Sequence, residues 1–193
     1  MTQSIHETDL EKPGAGLPTM ERLMLRCGFK LMRTFKGRMA LNDMFHKELT
    51  KLIELESQIP EGKGNQPVLI KRIKGIEDSS RNWSAYMVFE HLHIVNTALL
   101  FVIKTLLKEQ TVPGEVRTED VKPDPSSSII SVENFSDSAQ DYLGTLQTLD
   151  SLKTKATHKH PWFGELNAHG WHTLAAIHMQ IHRKQLELII AGL

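Results

Sequence analysis

Cysteine, tyrosine and net charge are what this 193-residue chain has least of: one cysteine, two tyrosines, and 23 basic against 23 acidic side chains. A lone Cys27 closes no disulfide within the chain and supplies no cysteine-based zinc cluster. Balanced charge, with a pI near 7.2, argues against a protein built mainly to coat nucleic acid. The first twenty residues lack the charged, apolar and cleavage regions of a signal peptide. The longest apolar stretch, Leu92 to Ile103, is interrupted by His93, Asn96 and Thr97 and is too short to span a bilayer. These shortages lead us to expect a soluble cytoplasmic chain with no stable membrane insertion and no nucleic-acid partner. At this length it can bury a core without staples. Histidine is the excess, ten residues or about twice the usual share.

Residues 1–18 carry Pro13, Gly14, Gly16 and Pro18 and read as a flexible arm. Helical spacing begins at Thr19 and runs through a basic segment, weakened at Gly28 and Gly37. A second helix places Leu41, Met44, Phe45, Leu49, Leu52 and Ile53 on one side and stops at Pro60 and Gly62. Val68 to Ile76 reads as a helical turn or a strand-like stretch. The strongest pattern lies between Trp83 and Lys108, where Met87, Val88, His91, Ile94, Val95, Leu99, Val102 and Leu106 recur at three and four. The polar run Ser79 to Asn82 is its expected cap. A loop over 110–131 follows, then a helix expected over Glu133 to Lys155 and a last helix from Ala168 to Ile190. The fold class expected is all-α, a four-helix bundle with an extra N-terminal helical segment, and 19–193 form one domain.

Bundles build sites from inward-pointing side chains of facing helices, so polar residues on apolar stripes are the candidates. His91 occupies a stripe position where leucine is the ordinary choice. His178 and His182 are four apart on the last helix, which puts both imidazoles on one face. Three neutral imidazoles suit a divalent ion of the Zn, Ni or Fe class and leave ligand positions open. Spacing alone does not decide the matter, since ten histidines give about half of one such pair by chance. A buried histidine is also more often a hydrogen-bonded core residue. His93 points nearly opposite His91. His6, His46, His158, His160, His169 and His172 read as arm, turn or outer-face residues.

The run WSAYMVFEHL (Trp83–Leu92) and the segment HPWFGELNAHGWHTLAAIHMQIHRKQ (His160–Gln185) resemble motifs of the DinB-like (DinB/YfiT) superfamily of four-helix-bundle metal-dependent proteins. The resemblance implies that His91, His178 and His182 hold one divalent metal ion. It implies metal-assisted hydrolysis or thiol (S-)transfer on a small molecule, with a low-molecular-weight thiol as cosubstrate, and pairing into a homodimer. The sequence departs from the family's pattern at Gly170, which stands where an acidic capping partner is usual, although Asn167 can still cap. The segment 20–39 and the loop 110–131 lie outside the motifs, so the shape of the pocket above the metal is left open.

Two other readings belong to different classes. One is a non-catalytic metal- or small-molecule-binding dimeric module. The other rests on Arg22, Arg26, Lys30 and Arg33, which with Lys36 and Arg38 make a basic amphipathic helix able to dock on a membrane or a partner. Against it stands a solvated bundle face answered by Glu54, Glu56 and Glu61. No catalytic acid or base is assigned: Glu90 points about 100° away from His91 around the helix. Cys27 reads as a small packing residue, and Trp83 and Trp171 as core aromatics or pocket walls.

Overall fold

The computed structural model describes residues 10–193. Residues 1–9 of the expected arm lie outside the described residues. Five helices dominate: α1 (Thr19–Phe35), α2 (Arg38–Glu56), α3 (Ala85–Leu107), α4 (Ile130–Thr148) and α5 (Ala168–Ile190). Two short antiparallel ladders join them, β1 (Val68–Leu69) with β2 (Asn82–Trp83) and β3 (His158–His160) with β4 (Gly164–Leu166). Helices α2 to α5 form a four-helix bundle in which α2 and α3 each pack against both α4 and α5. The first helix lies outside this ring, against α5.

Helical periodicity accounts for the core. Leu41, Phe45 and Leu52 of α2, Val88, Phe89, Leu92, Ile103 and Leu106 of α3, Phe135, Tyr142 and Leu146 of α4, and Met179 and Leu186 of α5 are buried. The expectation that this segment is too short to span a bilayer is corrected: the whole of helix α3, 23 residues, is long and apolar enough by length and composition, and here its apolar faces pack on α4 and α5. One expected core position, Ile53, is instead exposed. Glu48 is buried on the same helix because it forms an ion pair with the buried Arg183 of α5.

Three local expectations need correction. The third bundle helix runs over Ile130–Thr148 and not to Lys155: Leu149 turns extended, and Leu152 is buried with its carbonyl accepting the His169 N–H at 3.1 Å. Helix α3 is capped by Ser84, whose Oγ accepts the Met87 N–H at 3.2 Å, while Asp78–Ser80 form a 3₁₀ turn and Asn82 joins β2. Cys27 is exposed and packs into no core. The last helix matches its expected span, and Asn167 Oδ1 accepts the Gly170 N–H at 3.0 Å as its cap. A Cβ at Gly170 would stand 3.2 Å from the Leu166 Cβ, a tight contact that disfavours any larger residue at this entry into α5.

Residues 10–18 are tied to the body. Gly14 and Gly16, both with φ near +80°, donate their N–H groups to the Glu77 carboxylate at 3.2 Å, and Leu17 is buried.

Candidate metal centre

Helices α3 and α5 bring His91, His178 and His182 together. One ring nitrogen from each lies within 4.8 Å of the other two. The ring centroids are 4.3–5.0 Å apart. His91 and His182 are buried and His178 is half-buried, facing a cavity. Trp83, delivered by β2, walls the cluster: it stacks on His182 with centroids 6.1 Å apart and tilts against His91 at 5.1 Å.

Hydrogen bonds decide which nitrogens face inward. The His91 Nδ1–H donates to the Val121 carbonyl at 2.7 Å, which leaves Nε2 as a lone-pair donor. Gln185 Nε2 donates to the Ser80 carbonyl at 2.7 Å, so its Oε1 must be the atom turned toward His182. That oxygen accepts from His182 Nδ1–H at 2.7 Å, which frees the second Nε2. His178 is different. Its Nδ1 is buried without a partner, and its Nε2 lies 3.1 Å from the His91 Nε2. Two imidazole nitrogens at that distance share either a proton or a cation. Nitrogens bound to one tetrahedral zinc at about 2.0–2.1 Å stand about 3.3 Å apart, so this donor set suits a divalent ion.

Electrostatics keep the rings neutral, the form that ligates. Burial, aided by the Lys122 charge and opposed by the Val121 hydrogen bond, lowers the His91 pKa to about 4. Burial and the neighbouring histidines push His178 and His182 well below the ordinary range. Lys122 is itself neutralised: its Nζ lies 2.9 Å from a Glu77 carboxylate oxygen, donates to Ser80 Oγ at 2.7 Å, and stands 5.6 Å from the Trp83 ring centroid. Burial alone would raise the Glu77 pKa, but Lys122, Thr118 and Gly14 together hold it below the carboxylate range. Glu77 thus ties residues 14–16 and the 118–122 loop to one anchor, and that loop carries the Val121 carbonyl.

Two histidines expected on turns or outer faces are buried instead. His160 closes β3, where pairing with β4 and contact with Trp171 and Phe163 enclose it. His172 is fully buried, with Nδ1 3.0 Å from Tyr142 Oη. Neither joins the cluster. His46 is exposed, and His93 is half-exposed and donates a ring N–H to the Asn134 carbonyl. Glu90 makes no hydrogen bond to the three rings, and Cys27 does not line the cavity. Sequence reasoning missed Gln185 and Val121 as ring-orienting partners. The i,i+3 spacing of His182 and Gln185 was a signal for the first, whereas nothing local announces the second.

No protein-family model matches this chain, and no curated protein matches it. Among solved structures it is similar to the crystal structure of TT2238, a four-helix bundle protein, at 22% identity and a TM-score of 0.57, covering 78% of this chain and 98% of that one. That likeness is one of fold: this chain, too, is built around a four-helix bundle.

Proposed function

We propose that this is a DinB-like protein in which His91, His178 and His182 hold one divalent ion of the Zn, Ni or Fe class. Its role on this reading is metal-assisted hydrolysis or thiol transfer on a small molecule. The observation that carries the reading is the aim of the nitrogens: two rings have Nδ1 committed to fixed acceptors and turn Nε2 toward the third. A bound ion supplies Lewis acidity to an oxygen or sulfur donor. The chain's own part is to orient the rings, keep them neutral, and exclude water behind Trp83. Elemental analysis of the purified protein tests the metal, beside a His178→Ala, His182→Ala variant. About one divalent ion per chain, lost in the variant, is the expected result. No ion after reconstitution of a folded protein overturns the reading.

A second reading concerns the outer face of α1. Met20, Leu31 and Phe35 are 60–79% exposed there. Among the described residues, none of the α1 cations pairs with Glu54, Glu56 or Glu61. Arg26 donates to the Trp162 carbonyl, and Arg33 donates to Asn167 Oδ1 at 3.2 Å. Arg38, on α2, likewise donates to the Leu146 carbonyl at 2.9 Å, so an apolar face flanked by Arg22, Lys30 and Lys36 is what suits an anionic lipid surface. Salt-sensitive binding to phosphatidylserine vesicles, weakened by Lys30→Gln with Lys36→Gln, is expected. Binding to neutral vesicles alone, or none, removes this reading.

A further inference from the structure

The histidine cluster closes one end of a cavity of about 350 Å³. Along α3 the wall is His91, Val95, Ala98 and Val102, and along α5 it runs from His182 to Trp171. Each run spans twelve residues of helix, eleven rises, so the cavity extends about 16 Å from the rings. The volume is at the small end for ligand sites, which suits a small molecule. The two segments outside the bundle motifs complete it: α1 contributes Met24 and Phe29, and the loop contributes Val116 and Val121. Phe29 is fixed by stacking on Phe163 at 4.5 Å. The charged groups near the ring end, Glu77 and Lys122, are already paired with each other. Ser80, Arg117, Thr118, His160 and Gln180 also stand in the wall, but the three rings are the polar groups that converge on one point, and most of the remaining lining is apolar.

We propose that this cavity takes a linear alkyl or acyl molecule with one donor head, the head at His91, His178 and His182 and the tail between α3, α5 and α1. The inference rests on the metal reading above and adds the substrate class. Alkyl hydroxamates of two, four, six and eight carbons, titrated into cobalt-substituted protein, test it through the visible spectrum of the metal. Affinity should rise about fourfold per methylene, since each carbon leaves water for an apolar wall. Ala98 is exposed and lines the cavity part-way along α3, so Ala98→Phe narrows it beyond the rings without disturbing the bundle core. That variant should keep the cobalt spectrum and lose the dependence on chain length. A normal cobalt spectrum with equal affinity for all four probes overturns the substrate class and leaves the metal standing. No cobalt spectrum at one equivalent overturns the metal reading, and this inference with it.

Discussion

Helix α5 buries a histidine toward each end, and the two do different things. His182 and His172 are both almost wholly buried, and burial lowers both pKa values, that of His172 to about 4. At the His182 end, Gln185 turns the ring so that Nε2 meets two further imidazoles. At the His172 end, Nδ1 meets the Tyr142 hydroxyl at 3.0 Å, and Nε2 is buried with no partner. Burial and a low pKa are therefore shared by a core histidine and a candidate ligand. Convergence of unprotonated nitrogens separates them, because one ion needs several lone pairs aimed at one point. His160 makes the same case: burial lowers its pKa to about 3, yet its Nδ1 accepts the Trp162 N–H.

The contrast can be broken most sharply by removing one ring at each end. His91→Ala should lower zinc affinity on the order of a thousandfold, while His172→Asn leaves it unchanged, measured by competition with a chromogenic chelator. Equal effects would mean that burial, not convergence, makes the site. A smaller effect comes from the orienting partner: Gln185→Leu should weaken zinc about 10–100-fold, with the fold retained by circular dichroism. Unchanged affinity would show that His182 needs no support to present Nε2. The smallest effect concerns the other end of the helix. Between about pH 6.5 and 4 the unfolded His172 binds a proton that the native ring refuses. Its contribution to stability is thus complete above the unfolded pKa and is lost as pH falls through that window, by about 1.4 kcal/mol per pH unit. Urea unfolding of metal-free His172→Asn protein should show a pH dependence shallower by that amount, and an identical slope would mean the native ring takes up protons freely.

Much of the fold was legible because helical period is local. The α3 and α5 stripes carry their apolar residues three and four apart, and the Asn167 cap stands next to the run it starts. The same pattern singled out His91, His178 and His182, since a histidine on a leucine stripe must point into the bundle. Patterns of this kind fail where a distant segment supplies the partner. Helix α4 ends early because Leu152 is drawn into the core and bonds to His169, and Glu48 is buried because Arg183 stands opposite on another helix. His160 and His172 were misplaced because a small ladder and the Tyr142 ring cover them, neither of which their own neighbours in the chain indicate.

The sequence by itself determined which residues face inward on each helix, because 3.6-residue periodicity depends only on neighbours a turn away. It therefore determined that three imidazoles point toward the bundle interior. The tertiary structure alone decided which nitrogen each of two rings presents, through a carbonyl thirty residues from His91 and an amide held by Ser80. It also decided the slot beside them, since α1 and the 116–122 loop become walls only when the chain folds back over α3 and α5. Lone-pair direction and cavity shape depend on groups far apart in sequence, and only packing brings those groups into contact.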